Sequence, residues 1–382
     1  MIPLLEPCLG GNEARYLAEC VRTNLVSSIG PFVERFERDF AATVGARHAV
    51  ACASGTAALH VALRLAGAGP GGTVAVSTFT FVASVNAVHY TGADPLLVDS
   101  EPRTWNLDTE LLHDDVVRRA RLGRPLPAAV EVVHLLGHPA EIEPVLALRD
   151  RFGIRVVEDA AESLGAAYTA GPHADRQVGT LGDIGCFSFN GNKTITTGGG
   201  GMLVTDDAQL AARARHLSTQ ARLPGFGYVH DTVGYNYRLT NIAAALGVAQ
   251  LEQLPRLLAA KRALADRYAT MLAGLPVTPA PRAAWAAPSH WLYSILLRED
   301  RDRVLAALRA AGVGARPLWL PVHQQAPYAA ADRIGGGVAD GLSRRGLSLP
   351  SSPGLSIVDQ GRTVSALSAA LPDRATALQH RP

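Results

Sequence analysis

Short apolar segments that alternate with helical segments constrain the fold of this chain more than any other feature. Segments that are apolar throughout indicate strands covered on both faces, and their alternation with helices indicates a mainly parallel sheet. The predicted strands are 49–53, 74–77, 96–99, 130–136, 155–158, 184–189 and 202–205, and the predicted helices are 55–65, 81–89, 142–152 and 208–216. We therefore predict an α/β fold that binds its ligands outside the carboxyl ends of the strands.

The length and the later part of the sequence indicate a second, smaller domain. A chain of 382 residues is longer than most single compact domains. Residues 240–272 have helical periodicity interrupted only by Pro255, which predicts one long helix that could bridge two domains. The expected units are a large domain with an N-terminal arm, residues 1–250, and a smaller α+β domain, residues 251–382. Segments 113–127 and 167–183 contain loop-like passages.

The overall composition excludes several classes of protein. Hydrophobic residues make up 48% of the chain and charged residues 18%, so the chain can form a sizeable core. A net charge of +2 without a basic block argues against a nucleic-acid or membrane partner. The four cysteines are scattered and form no CxxC pair, which predicts reduced thiols rather than a metal site. With no signal peptide or spanning segment recognised, we expect a cytoplasmic protein.

Lys193 is one of only two lysines, although Lys and Arg together number 36. An amine can lose its proton and attack a carbonyl, whereas a guanidinium stays protonated, so a retained lysine indicates chemistry. The second lysine, Lys261, belongs to a helical pattern and is predicted to be a solvated surface residue. Lys193 instead lies between an apolar run and the four glycines at 198–201.

Those four glycines do not form a nucleotide-binding motif. They precede a predicted strand instead of joining a strand to a helix, and Asn192 separates Gly191 from Lys193, which excludes a P-loop. The glycines are predicted to let the backbone turn tightly beside Lys193.

Polar residues follow two of the predicted strands. Ser54, Gly55 and Thr56 open a helix, where free N–H groups and a hydroxyl suit a phosphate, although an ordinary helix cap has the same pattern. Glu158 and Asp159 follow a buried strand, either as acids near a helix start or as a carboxylate aimed at a cationic ring nitrogen.

Phe81 begins a helix after a strand and could pack in the core or stack on a flat ligand. His134 and His138 are four residues apart but straddle the end of a strand, so no metal site is predicted there.

In order and spacing, segments 54–59, 158–162, 188–201 and 234–238 resemble the DegT/StrS-type sugar aminotransferases, which depend on pyridoxal phosphate. This resemblance implies the aspartate aminotransferase fold (fold type I), with a mainly parallel seven-stranded sheet. Segments 189–193 and 349–352 are most similar to the subgroup from the bacillosamine and legionaminic acid pathways. That subgroup aminates carbon 4 of UDP-linked 4-keto-6-deoxy-hexoses.

The resemblance also implies a role for each motif residue. Lys193 would form the Schiff base with pyridoxal phosphate and then transfer protons. Asp159 would keep the pyridine nitrogen protonated, Phe81 would stack on the ring, and Glu162 would lie near the phenolic oxygen. The residues implied in phosphate binding are Gly55, Thr56 and Ser188 of one subunit and Asn236 of the other, which implies a homodimer with shared active sites. Arg238 and His323 are implied in substrate binding.

The implied reaction moves an amino group from glutamate to a nucleotide-linked 4-keto-6-deoxy sugar. One alternative is amination of a keto-cyclitol, as in aminoglycoside pathways. A second is a sugar dehydratase, but those relatives have histidine where this chain has Lys193. A third is a non-catalytic sensor that keeps the fold, against which the retained chemical residues argue.

Overall fold

The structure is a computed structural model, and it describes residues 1–225, 227–298 and 301–371. The strands are β1 His48–Cys52, β2 Thr73–Ser77, β3 Asp94–Val98, β4 Ala129–Val133, β5 Arg155–Asp159, β6 Ala167–Tyr168, β7 Ile184–Ser188, β8 Gly201–Thr205, β9 Val277–Pro279, β10 Ala286–Ala287, β11 Tyr293–Leu297, β12 Arg316–Pro317, β13 Arg333–Ile334 and β14 Gly346–Leu349. The helices are α1 Glu13–Arg22, α2 Pro31–Val44, α3 Gly55–Leu65, α4 Val82–Tyr90, α5 Thr109–Arg121, α6 Glu143–Phe152, α7 Ala208–Ser218, α8 Asn241–Glu252, α9 Leu254–Met271, α10 Arg301–Ala310, α11 Val338–Arg345 and α12 Ile357–Ala370.

The central element is an eight-stranded sheet with the order β1-β8-β7-β5-β4-β2-β3-β13. In this sheet β8 runs opposite to the other seven strands, which point their carboxyl ends to one edge. This confirms the predicted α/β class with a mainly parallel sheet. The short β13, which comes from the C-terminal part of the chain, adds the eighth strand beside β3.

Both faces of this sheet are covered, as the uniformly apolar strands predict. In β4, Val130 and Val132 pack in one apolar cluster, together with residues of α2, α5, α6 and α8. Ala129 and Val133 of the same strand pack in the opposite cluster, with residues of α3, α4 and α7. Because successive side chains of a strand point to opposite faces, a strand between two helical layers is apolar at most positions, and in β4 Glu131 is the exception.

A smaller four-stranded antiparallel sheet, with the order β12-β14-β11-β9, is formed by the C-terminal part of the chain. Its own apolar cluster includes Ile295 of β11, Leu308 of α10 and Leu367 of α12. Tyr268 of α9 packs in this cluster, which ties the end of that helix to the smaller sheet.

One helix prediction was wrong, and one helix was not predicted. The long helix expected over 240–272 is two helices, α8 and α9, which meet at Gln253. Pro255 lies in the first turn of α9, where its missing N–H has no helical partner to lose, so proline starts the second helix. The segment 113–127 contains the expected loop-like passage after Arg121, but no helix was predicted before it, where α5 begins at a cap formed by the Asp108 carboxylate.

Lys261 is not a surface residue, so its predicted solvation was wrong. Its side chain is fully buried, and Nζ donates hydrogen bonds to the carbonyl oxygens of Trp291 (3.0 Å) and Ser351 (2.8 Å). Burial without a carboxylate partner lowers the pKa of the Lys261 amine to about 7. The residue joins α9 to two segments that border the smaller sheet.

Candidate active site

A cavity of about 370 Å³ lies at the carboxyl edge of the large sheet. Seven residues singled out from the sequence line this cavity: Gly55, Thr56, Phe81, Asp159, Glu162, Ser188 and Lys193. They arrive from different elements, because β5 and β7 end at this edge and α3 and α4 begin there. Parallel topology therefore brings together motifs that are far apart in the sequence.

The amino end of α3 forms a cradle for an anion. The Ser54 side chain caps the helix by accepting a hydrogen bond from the Ala57 N–H (3.0 Å). Thr56 and Ser188 add hydroxyl groups to the same wall of the cavity. A Cβ on Gly55 would lie 2.7 Å from the Ser188 Cβ, and one on Gly201 would lie 2.4 Å from the Ser54 carbonyl oxygen. Glycine is therefore required at both positions for the backbones to approach this closely.

Asp159, the last residue of β5, is buried at the base of the cavity. Its carboxylate accepts hydrogen bonds from the Ser84 hydroxyl (2.8 Å) and the Ala161 N–H (3.0 Å). Burial raises the pKa of Asp159, while these two donors oppose that rise by stabilising the charged form. Such a carboxylate suits a protonated ring nitrogen, which would supply the missing positive partner.

Glu158, the neighbour of Asp159, has a different environment. Its buried carboxylate accepts the N–H groups of Gly179, Leu181 and Gly182 and pairs with His134 Nε2 at 2.9 Å. Of the two acids, Glu158 therefore anchors a loop and Asp159 faces the cavity.

Lys193 and Glu162 form a largely buried pair, with side chains 12% and 7% exposed, in which Nζ and Oε1 are 3.9 Å apart. Burial lowers the pKa of the Lys193 amine, and it raises the pKa of the Glu162 carboxyl to about 7. The other Glu162 oxygen accepts the Leu136 N–H at 2.8 Å. Both shifts favour the neutral forms, the free amine of Lys193 and the protonated carboxyl of Glu162. The pair can therefore hold one proton near neutral pH. A neutral amine is a nucleophile.

Aromatic rings form two further walls. Phe81 is 52% exposed and lines the cavity, so it is not a core residue. On the other side, Lys193 Nζ lies 4.0 Å from the centre of the Trp291 ring, whose N–H donates to the Asn192 carbonyl oxygen (2.6 Å). Trp319 stacks beside Trp291 with 6.4 Å between ring centres.

Three candidate residues lie outside this cavity within one chain. Asn236 forms a β-bridge with Thr219, and the Arg238 guanidinium donates to the Ser28 carbonyl oxygen at 2.5 Å. His323 lines a separate cavity, where its ring nitrogens meet Thr78 Oγ1 (2.7 Å) and Asp340 Oδ1 (3.1 Å).

Sequence reasoning missed four residues of the site. Ser84 has a detectable signal, since it lies one helical turn after Phe81 on the helix that opens at the cavity. Trp291, Arg316 and Trp319 have none, because they come from the C-terminal part of the chain and reach Lys193 only through tertiary packing. No group of His, Cys, Asp or Glu with metal-binding geometry occurs in the described parts of the chain. Nor is any described helix long and apolar enough to cross a membrane.

The fold and this site together define an enzyme of the pyridoxal-phosphate-dependent aminotransferase class. The anion cradle, the buried carboxylate, the exposed phenyl face and the amine each fit one part of that cofactor: phosphate, ring nitrogen, ring face and aldehyde.

Residues 7–368 match the model of the DegT/DnrJ/EryC1/StrS aminotransferase family, and the chain belongs to this family. A relative, GDP-perosamine synthase of Caulobacter vibrioides, is 41% identical over 96% of this chain and 97% of its own. EpsN of Bacillus subtilis, whose name describes a pyridoxal phosphate-dependent aminotransferase, is 40% identical over 96% and 95%. The crystal structure of a DegT DnrJ EryC1 StrS aminotransferase from Brucella abortus superposes with a TM-score of 0.86 at 31% identity, covering 94% of this chain and 95% of that one. These findings confirm the resemblance predicted from the motifs.

Proposed function

We propose that this enzyme transfers the amino group of glutamate to a nucleotide-linked 4-keto-6-deoxy sugar. The observation that carries the chemistry is the single cavity that joins Lys193, Asp159 and the anion cradle of α3. The names of relatives such as GDP-perosamine synthase, 41% identical to this chain, support a nucleotide-linked sugar as the acceptor.

Each residue of the cavity has a defined task in this proposal. Pyridoxal phosphate, when bound, supplies an aldehyde that takes up the amino group and a ring that withdraws electrons from the reacting carbon. Gly55, Thr56 and Ser188 would hold its phosphate, and Phe81 would pack against its ring. The Asp159 carboxylate would keep a proton on the ring nitrogen. Lys193 Nζ, held over Trp291, would bind the aldehyde and then move the proton at the reacting carbon.

Glu162 is the proton-holding group beside Lys193 in this proposal. With a pKa of about 7, its carboxyl is protonated in part of the population at neutral pH. A protonated carboxyl can donate a hydrogen bond to the phenolic oxygen of the cofactor, whereas an ionised one would repel a phenolate.

Substitution of Lys193 by alanine tests the cofactor linkage. We expect the Lys193→Ala protein to lack the absorption band of the lysine-linked cofactor. We also expect borohydride to attach the cofactor covalently to the wild-type peptide that contains Lys193 but not to the variant, as mass spectrometry would measure. A persisting band or an adduct elsewhere would contradict the role of Lys193.

An acceptor screen tests the substrate. We expect amino transfer from glutamate to a 4-keto-6-deoxy sugar carried by GDP or UDP, detected as 2-oxoglutarate and as an aminated nucleotide sugar. The comparison acceptors are the dTDP-linked sugar and a keto-cyclitol. Amination of the cyclitol alone would refute the proposed acceptor, and failure to exchange any amino group would favour a sensor.

The proposal includes a homodimer in which Asn236 of one subunit reaches the phosphate cradle of the other. The strongly exposed apolar side chains Tyr228 (83%) and Val233 (79%) lie shortly before Asn236 in the sequence and suit an interface.

Mixed dimers test this arrangement. Inactive Lys193→Ala and Asn236→Asp proteins are dissociated, mixed in equal amounts and reassociated. Random pairing makes half of the dimers hybrids with one intact site each, so about a quarter of wild-type activity should return. If Asn236 serves its own subunit, no activity returns.

A further inference from the structure

Among the described residues, one cation of the active-site cavity has no ion-pair partner. The charged residues that line the cavity are the acids Asp159 and Glu162 and the cations Lys193 and Arg316. Lys193 is engaged with Glu162 and with the face of Trp291. Arg316 remains as a positive group that has no assigned task.

Arg316 lies in β12, on the side of the cavity formed by the smaller sheet. Its backbone position is fixed because β12 pairs with β14, where Arg316 lies opposite Ser348. Its side chain is exposed, and within the described residues the guanidinium forms no ion pair and no hydrogen bond. By contrast, Arg238, the arginine proposed from the sequence for substrate contact, is outside the cavity and bonded to Ser28.

We propose that Arg316 binds the carboxylate that is attached to the amine-bearing carbon of the amino donor. This inference rests on the proposed function. A guanidinium is always charged and presents a planar fork that matches a carboxylate in two parallel hydrogen bonds. The Arg316 guanidinium adds a positive charge to a cavity whose lining also includes the acids Asp159 and Glu162, and this charge favours the entry of an anionic donor.

The other oxyanion that could reach Arg316 is the diphosphate of the acceptor. The distance of each oxyanion from the reacting atoms of its own substrate favours the donor carboxylate as the partner of Arg316. In an amino acid the carboxylate is attached to the same carbon as the reacting amine, so it must enter the cavity with Lys193. In a nucleotide-linked sugar the width of the sugar ring separates carbon 4 from the phosphates, which places them farther from Lys193.

The test measures each half of the reaction separately in the Arg316→Gln and Arg316→Lys holoenzymes. In the first half, glutamate converts the cofactor to its aminated form, which stopped-flow absorbance follows. In the second half, the purified aminated enzyme reacts with the keto-sugar nucleotide. Loss of a charge-assisted pair of hydrogen bonds should lower kcat/KM for glutamate by about 10- to 100-fold in the glutamine variant, and less in the lysine variant.

Binding without reaction gives an independent measurement. Glutarate is an unreactive dicarboxylate, and its dissociation constant for the wild-type holoenzyme by calorimetry should rise by a similar factor in Arg316→Gln. Arg309→Gln is the matched control, since Arg309 is an exposed arginine of α10 that does not line the cavity. It should leave both half-reactions and glutarate binding unchanged.

The outcomes separate the two oxyanions. A loss confined to the glutamate half-reaction and to glutarate supports the proposal. A loss confined to the nucleotide-sugar half-reaction overturns it and assigns Arg316 to the phosphates. An equal loss in both halves, as general distortion would cause, or no loss in either also overturns it. The reaction of the wild-type enzyme with glutamate tests the proposed function, and its result does not depend on how the Arg316 variants behave.

Discussion

The buried Lys261 should make this protein less stable as the pH falls. Because burial lowers its pKa from 10.5 to about 7, the unfolded chain binds more protons than the folded one between these values. The contribution of Lys261 to the free energy of unfolding is complete above the pKa of the unfolded chain. It is lost as the pH falls toward the pKa of the folded protein. The linkage relation gives a loss of about 3 kcal/mol in the free energy of unfolding between pH 9.5 and pH 7.

Comparison with a Lys261→Met protein isolates this contribution. Methionine keeps the volume but leaves the buried carbonyl oxygens of Trp291 and Ser351 without their donor, so at pH 9.5 the variant should be less stable by about 2–4 kcal/mol. As the pH falls to 7, wild type loses about 3 kcal/mol of its free energy of unfolding, so the difference between the variant and wild type should shrink by the same amount.

The assay is urea unfolding of both proteins, without cofactor, at several pH values between 7 and 9.5. Arg262→Met is the control, because Arg262 is the exposed neighbour of Lys261 on α9. Its difference from wild type should not vary with pH. If the difference between wild type and Lys261→Met were also constant, the amine would titrate normally and the reasoning would be refuted.

Two buried acids give further predictions. Glu162 has a folded pKa of about 7, above its ordinary 4.5, so wild type should lose stability relative to Glu162→Gln as pH rises through this window, by about 3 kcal/mol, with a plateau above it. Urea unfolding of the cofactor-free proteins checks this, and a wild type that gained stability relative to Glu162→Gln as the pH rises would contradict it. Glu131 of β4 is fully buried, neither of its carboxylate oxygens has a hydrogen-bond partner in the described part of the chain, and burial raises its pKa well above the ordinary value. Glu131→Met should therefore raise the free energy of unfolding by about 1–3 kcal/mol at pH 7, whereas lower stability would reveal a structural role for the carboxyl.

The large sheet could be predicted because its sequence signal is local. A strand between two helical layers is mostly apolar, and the seven predicted strands have that pattern apart from a few polar positions such as Glu131. The motifs at the strand ends were then enough to place Asp159, Ser188 and Lys193 at one edge, since parallel strands share that edge. Each of these inferences depends only on a short stretch of residues and on a general rule of topology.

The parts that could not be predicted depend on contacts between distant segments. Arg316 enters the cavity only because β12 pairs with β14, and Trp291 meets Lys193 only because β11 joins the same sheet. No local pattern distinguishes these two residues from an exposed arginine and a core tryptophan. The helix α5 was missed for a different reason: its many charged residues mask the apolar spacing of Leu112 and Val116.

The two lysines of the chain share one chemical property, although the sequence pattern predicted a chemical role for only one of them. Lys193 was singled out because an amine, unlike a guanidinium, can give up its charge. The same property explains Lys261, which lies in a site without a carboxylate, where a permanently charged arginine would carry an uncompensated buried charge. Burial lowers the pKa of both amines. In a chain that otherwise uses arginine for its cations, lysine was retained at the two positions where the cation must be able to become neutral. One of these amines faces a reactive cavity, and the other holds Trp291, the ring that lies under the first.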